Sequence, residues 1–221
     1  MSTVCLDTEI LTIPPSGCGL EEFRRWALSD ESPDHAPVFY LAGEVWIDMS
    51  KEQLFTHTWL KQRFYQVLGL VSDRKRTGKF FPDGLLLTNE DADLSGNPDG
   101  TFVSNASFRS GRVRLIEGAE AGFVEMEGSP DMVLEVVSDS SVEKDTELLK
   151  DLYWKAGIRE YWLVDARTDQ LQFEIFRRTS RGYSATSKTR GWMKSNVFGQ
   201  SFRLTRRADE LGHPEFTLRV R

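Results

Sequence analysis

Cysteine is nearly missing from this chain: Cys5 and Cys18 stand alone among 221 residues, with no CxxC pair and three histidines. That excludes a disulfide framework and a zinc site built on Cys and His spacing, and it predicts reduced thiols. Long apolar runs are missing too. None approaches the ~20 residues that a membrane-spanning helix needs. The N-terminus places Asp7 and Glu9 before a short Ile10-Leu11 pair, which is not the basic-then-apolar order of a secretory signal. The expectation is a cytoplasmic protein with no membrane partner. The sequence also lacks internal repeats and low-complexity tracts.

What is present is enough to fill one sizeable core. Apolar residues make up 39% of the chain, with six Trp and fourteen Phe, which argues against global disorder. Nothing in the punctuation demands a second domain. The net charge of −6 is unevenly spread: residues 177–221 carry eleven Lys or Arg against three acids, net +8, which leaves −14 on residues 1–176. A basic C-terminal face on an acidic body suits either a polyanion or pairing within the molecule.

Along the chain, residues 20–29 read as a short helix broken by the proline-bearing loop Ser32 to Pro37. Two strands around Val38-Leu41 and Glu44-Asp48 meet through Ala42-Gly43. A long helix is predicted from near Ser50, because Leu54, His57, Leu60, Phe64, Val67 and Val71 recur at helical steps. His57 therefore lies inward or at the edge of the core. Phe80 to Thr88 reads as a strand interrupted by Pro82-Asp83-Gly84, Asn89 to Gly96 as an acidic turn, and Ser107 to Gly122 as a surface connection. Asn97-Pro98-Asp99-Gly100 leads into the short strand Thr101-Phe102-Val103. The stretch after Arg178 gives weaker signals, with a terminal strand expected at Glu215 to Val220.

The densest information lies between Pro130 and Asp165. An apolar strand, Met132 to Val137, is followed by a helix and a second apolar strand, Tyr161 to Val164. Ser140 and Glu143 have capping-box spacing, Leu148, Leu149, Leu152, Tyr153 and Ala156 form one stripe, and Gly157 sits where a left-handed cap belongs. Strand–helix–strand of this length predicts a right-handed crossover between parallel strands. Glu135 is the exception in its strand, since an ionised carboxylate in a buried strand needs a positive partner. Asp131 shares its face but stands four steps away, about 13 Å, too far to ligate the same ion. Asp131 is thus better read as satisfying backbone donors at its strand's start. A partner carboxylate must come from another strand, and Asp99 is the best candidate. Two such carboxylates suit a hard cation such as Mg²⁺, which supports chemistry on phosphate.

These residues, in order, carry a resemblance: Asn97-Pro98-Asp99, then Pro130-Asp131-Met132-Val133-Leu134-Glu135-Val136-Val137-Ser138, Asp145, Tyr153, Ala156-Gly157-Ile158 and Glu160-Tyr161-Trp162-Leu163-Val164-Asp165. The chain resembles the Uma-two family, described as "putative restriction endonucleases", of the PD-(D/E)XK nuclease superfamily, over roughly residues 20–205. The resemblance implies an α/β, restriction-endonuclease-like fold, a mixed central β-sheet flanked by helices. Residues 1–19 would then be an N-terminal extension and 206–221 a C-terminal one. It implies Mg²⁺-dependent hydrolysis of phosphodiester bonds in DNA, with Mn²⁺ able to substitute, and by analogy a homodimer. Asp99 and Glu135 match the metal-binding acids, the Val136 carbonyl is expected as a further ligand, and His57 matches a helix histidine that faces the site.

The chain departs from the family at its cations. The superfamily's strand lysine, two residues after the glutamate, is Val137, and the helix lysine that the family places four residues before Tyr153 is Leu149. Lys150 is the nearest lysine and is expected to serve if its stem bends back around the helix, since one residue turns a side chain by about 100°. A glutamate common before the Gly43 turn is replaced by Phe39 or Tyr40. A second reading follows from these departures, a catalytically silent nucleic-acid-binding or assembly module on the same fold. Blander roles stand beside the sharp ones: Lys150 as a surface partner of Glu147 or Thr146, Asp145 as a first-turn charge, Arg159 as an ion-pair partner of Glu135.

Overall fold

In the computed structural model the described residues are 2–6, 9–14, 17–33, 36–48, 51–118 and 122–221, with side chains from residue 14 onward. The chain begins with antiparallel strands β1 (Ser2–Leu6) and β2 (Glu9–Ile13), then helix α1 (Leu20–Ala27) and the hairpin of β3 (Val38–Leu41) and β4 (Glu44–Ile47). The hairpin turns where Ala42 (φ 50°) and Gly43 (φ 94°) both take positive φ, the geometry that matches the twist of the flanking strands. A π-helical turn (Leu54–Trp59) runs into α2 (Leu60–Lys75). Strands β5 (Gly78–Pro82), β6 (Leu86–Asn89), β7 (Leu94–Gly96) and β8 (Gly100–Ser104) follow, then α3 (Asn105–Arg109). Next come β9 (Val113–Glu117), β10 (Phe123–Gly128) and β11 (Met132–Val136), and a second π-helical turn (Lys144–Leu148) leading into α4 (Leu149–Lys155). The remainder is β12 (Glu160–Asp165), β13 (Gln172–Thr179), β14 (Gly182–Ala185), β15 (Met193–Ser195), β16 (Gln200–Ala208) and β17 (Pro214–Val220).

The central sheet has the order β14-β13-β12-β11-β8-β5. β11 runs parallel to β12, and the α4 segment lies in the crossover between them, as the strand–helix–strand pattern predicts. β8 and β13 run antiparallel to their neighbours, so the sheet is mixed. Alternation along β11 then divides the molecule. Met132, Leu134 and Val136 join Leu60, Phe64, Leu68 and Val71 of α2 in one core, together with Phe202 and Phe216 of the three-stranded sheet β15-β16-β17. Val133 belongs to the opposite core, with Leu149, Leu152, Tyr153 and Ala156 of the α4 helix. There a second six-stranded sheet, β4-β3-β7-β6-β10-β9, contributes Phe39, Leu87 and Met126. A mixed sheet flanked by helices is what the resemblance implies, but the sheets β4-β3-β7-β6-β10-β9 and β15-β16-β17 are not legible in the sequence. No helix among the described residues is long and apolar enough to cross a membrane.

Several local expectations need correction. Phe80 to Thr88 is two strands, β5 and β6, which join different sheets because the Pro82-Asp83-Gly84 break redirects the chain. The acidic turn is a 3-10 turn (Glu90–Ala92), whose Ala92 N–H donates to Asn89 Oδ1, followed by β7. The surface connection from Ser107 contains the end of α3 and all of β9. Ser50 lies outside the described residues; the described helix starts at Leu54, with the Gln53 side chain accepting from Phe55 N and Thr56 N. Leu54 is 71% exposed, so the buried stripe of that helix begins at Leu60.

The capping box is replaced by Ser141, whose hydroxyl oxygen accepts from Ser138 N, while Ser140 donates to Asp48. Gly157 does take the left-handed cap, at φ 76°. β16 runs through the 205/206 boundary and pairs along its length with β17, whose Phe216 and Leu218 are buried in the core. Residues 206–221 therefore complete a sheet. Part of the basic C-terminal charge pairs internally, Arg207 with Glu215, Arg206 with Asp169 and Lys188 with Glu174.

Arg24 fastens α1 to the second sheet. Its guanidinium donates to both oxygens of Glu125, at 2.8 and 3.0 Å, and to Glu127 at 3.1 Å. Glu125 is buried, so Arg24→Met is expected to destabilise by about 3–5 kcal/mol by stranding that carboxylate. Urea denaturation checks this, and Arg24→Met combined with Glu125→Leu should recover most of the loss.

Candidate functional site

Strand register alone brings the two acids together. Leu134 pairs with Gly100 across β11 and β8, so the next position sets Glu135 opposite Asp99. The Val136 N–H donates to Asp99 Oδ2 at 2.7 Å, and the Asp99 N–H lies 3.5 Å from Glu135 Oε2. Asn97 holds the preceding turn: its Oδ1 accepts from Val38 N and its Nδ2 donates to Leu85 O, each at 3.0 Å.

Glu135 is buried, and Tyr153 donates its hydroxyl to Oε1 at 2.6 Å. Burial drives its carboxyl well above the ordinary range; Lys144 opposes that rise, and the neighbouring Asp99 and Asp145 charges add to it. Lys144 lies with its Nζ 2.7 Å from Asp145 Oδ1 and 4.0 Å from the centre of the Phe39 ring. Burial alone would lower the Lys144 ammonium, but Glu135 and Asp145 outweigh it and hold the group charged. The Phe39 ring thus gives Lys144 an aromatic face.

Helix α2 and the turn before it supply the opposite wall. His57 Nε2 must donate to the Val136 carbonyl, 2.9 Å away, because a carbonyl only accepts. One helical turn later, Lys61 Nζ is 2.7 Å from Glu52 Oε1, 3.1 Å from Asp83 Oδ2 and 3.5 Å from Asp99 Oδ1. Burial works against the Glu52 carboxylate, yet hydrogen bonds from Lys61 and Thr58 win and hold it below the ordinary range. Phe39, Glu52, His57, Asp99, Glu135, Val136, Lys144 and Asp145 line a cavity of about 120 Å³ at the C-terminal end of β11, and Lys61 pairs with its Glu52 and Asp99.

Of the residues singled out in the sequence, Asp99, Glu135, Val136 and His57 line this cavity. Lys150 does not. Its Nζ lies over the Phe176 ring at 4.1 Å, on another side of the helix, as the turn of about 100° per residue requires. Asp131 accepts from Ser104 N and Arg159, each at 2.6 Å, which leaves Arg159 no part in balancing Glu135. Leu149 and Val137 are both buried, Leu149 within the core on the α4 side of the sheet. Lys61, Lys144 and Glu52 were missed. Lys61 had a signal, since it lies four residues after His57 on one helix face. Lys144 had less, because the π-helical turn at 144–148 changes the facing that a regular helix would give.

Among the described residues, no three His, Cys, Asp or Glu side chains gather as a metal-binding set. The donors available to a cation are the Asp99 and Glu135 carboxylates and the Val136 carbonyl, an all-oxygen set of the kind Mg²⁺ takes with several waters retained. Charge favours such an ion. Six carboxylates, those of Asp48, Glu52, Asp83, Asp99, Glu135 and Asp145, line the cavity or pair with Lys61, against the two ammonium groups of Lys61 and Lys144. The residues present therefore fit a hard divalent cation.

A family model, Uma2, described as "putative restriction endonuclease", matches residues 20–207. Among solved structures, a "putative nuclease belonging to DUF820" from Anabaena variabilis is similar, with a TM-score of 0.60 at 16% identity, over 82% of this chain and 91% of that one. At that identity the likeness establishes the fold. No curated protein matches the chain.

Proposed function

The chain belongs to the Uma2 family of "putative restriction endonucleases", and from that premise we propose that it is a Mg²⁺-dependent DNA endonuclease hydrolysing phosphodiester bonds at Asp99 and Glu135. The observation that carries the reading is the meeting of those two carboxylates with the Val136 carbonyl and Lys144 around one cavity, with Lys61 paired to Asp99. Asp99, Glu135 and Val136 would hold the cation, which when bound lowers the pKa of a water and offsets phosphate charge. Tyr153 fixes Glu135 Oε1 and so leaves Oε2 as the oxygen turned to Asp99. His57 and the amide of Val136 hold the neighbouring backbone and carboxylate in register. Lys144 lines the cavity, so a phosphate seated there meets its positive charge, while Lys61 offsets the charge of Asp99.

The silent-module reading rests on Val137 and Leu149, where the family has cations. The nearness of Lys144 and Lys61 supports the enzymatic reading instead, because Lys144 brings an ammonium to the cavity and Lys61 brings one to Asp99. Cutting both strands of a duplex favours two centres, and a homodimer is part of this proposal. The direct test incubates wild type and Asp99→Asn with supercoiled plasmid and Mg²⁺ or Mn²⁺, beside EDTA controls. Nicking and linearisation by wild type alone are expected. Equal cleavage by both proteins, or none by wild type with either metal, would sink the proposal.

A further inference from the structure

At the other end of β11 lies a second cavity, of about 490 Å³, with no lining residue in common with the first. Asp131 marks its place at the start of the strand, about 13 Å along the backbone from Glu135. Four guanidinium groups line it, from Arg112, Arg159, Arg177 and Arg178, against two carboxylates, Asp131 and Glu160.

Both acids are already used. Asp131 is bound by Arg159 and Ser104 N. Glu160 accepts from Trp162 Nε1 (3.0 Å), Ser195 Oγ (2.6 Å), Asn196 N (2.5 Å) and Val197 N (3.2 Å). The arginines are not so well served. Arg178 donates Nε to Trp154 O at 2.8 Å and Arg112 donates to Gly157 O, but the Nε groups of Arg112 and Arg177 are shut off from solvent without a hydrogen-bond partner. Buried N–H donors without acceptors are costly, and guanidinium groups crowded in one cleft repel one another. Burial lowers Arg112 from its ordinary range, and the Arg159 and Arg178 charges lower it further. An anion in the cleft would offset that repulsion.

We propose that this cleft is a binding site for a terminal phosphate monoester, seated on Arg112, Arg177 and Arg178. The formal excess in the lining is +2, and a phosphate monoester near neutral pH carries about −1.5 to −2, which a single carboxylate does not match. Its three unesterified oxygens accept from several planar forks at once. The cavity also has room for the attached sugar and base, since its volume falls in the range of small-ligand pockets. The same chemistry is offered by a free nucleoside monophosphate and by the phosphorylated end of a nucleic acid. The proposal is independent of the reaction assigned to Asp99 and Glu135.

Calorimetric titration of the full chain in EDTA tests it, with inorganic phosphate, a nucleoside 5′-monophosphate, and duplexes bearing either a 5′-phosphate or a 5′-hydroxyl. Arg177→Gln and the more exposed Arg178→Gln should each weaken phosphate binding by about tenfold. Asp99→Asn, in the other cavity, and Lys194→Gln, an exposed lysine removing the same charge, should leave it within about twofold. If Arg177→Gln fails to fold, Arg178→Gln carries the test. Tight mononucleotide binding identifies a free nucleotide as the source, and preference for the phosphorylated duplex over the hydroxyl duplex identifies a nucleic-acid end. Absence of binding by every phosphate probe, binding unchanged in both arginine variants, or binding lost only in Asp99→Asn would overturn the proposal.

Discussion

Glu135→Gln is expected to lower metal-dependent cleavage by about 10³-fold, while leaving the metal-free protein at least as stable as wild type. The two effects share one cause. The wild-type carboxylate is buried, with Asp99 and Asp145 nearby, and burial chiefly raises its pKa in the folded state. An acid whose folded pKa lies above its unfolded value costs nothing below the unfolded value. It destabilises progressively as pH rises toward the folded one. The neutral amide has almost the same shape, and its oxygen still accepts from Tyr153, but it is a poorer ligand for a hard cation. Thermal unfolding in EDTA should therefore show wild type losing stability as pH rises above about 4.5, the ordinary glutamate value, with a flatter profile for the variant. Added Mg²⁺ or Mn²⁺ should raise the melting temperature of wild type alone, as binding to the native state requires. A variant that cleaves like wild type, or that melts far below it at neutral pH in EDTA, would contradict this account.

Lys144→Met should reduce cleavage by about 10²–10³-fold, the range for losing one preorganised group that offsets developing charge, whereas Lys150→Met should leave the rate within about twofold. The contrast follows from placement. Lys144 lies against Asp145 and offsets charge on Glu135, while Lys150 stacks over Phe176. Removing Lys144 also leaves buried carboxylates without their cation, so the metal-free variant should lose about 3–5 kcal/mol of stability. A divalent ion supplies positive charge to the same acids and should recover more of that loss in Lys144→Met than it adds to wild type. Guanidinium denaturation with and without Mn²⁺ measures the recovery, and single-turnover cleavage measures the rate. Comparable activity in Lys144→Met and wild type, or a comparable loss in Lys150→Met, would show that the cation comes from elsewhere.

The parts of the molecule that were legible in the sequence are those written in local periodicity. The apolar run Met132 to Val137 with one acid inside it, the stripe ending at Gly157 and the second run Tyr161 to Val164 specify a parallel pair with a crossover helix, and β11, α4 and β12 are that unit. Asp99 was legible because a turn followed by a short strand offered the nearest second carboxylate, and strand register places it opposite Glu135. Asp131 was separable from them on strand rise alone.

Other features escaped because their signal is not local. β5 and β6 look like one broken strand, yet a redirection at Pro82-Asp83-Gly84 sends them to different sheets, and three-residue strands such as β7 and β15 carry too few positions for a period. Lys144 looks like an ordinary surface lysine of its helix, Lys61 is marked only by its spacing from His57, and the depth of both depends on what folds over them.

The sequence by itself determined that Glu135 needs a partner, because a carboxylate in an apolar strand cannot be left uncompensated whatever the surrounding fold. It could not determine which cation approaches. That was decided by a π-helical turn that aims Lys144 inward, by the Phe39 ring that receives it, and by the α2 helix that brings Lys61 to Asp99. Periodicity is a property of neighbours along the chain, whereas charge compensation in a cavity depends on distances between segments remote in sequence, and these exist only once the sheets and helices have packed.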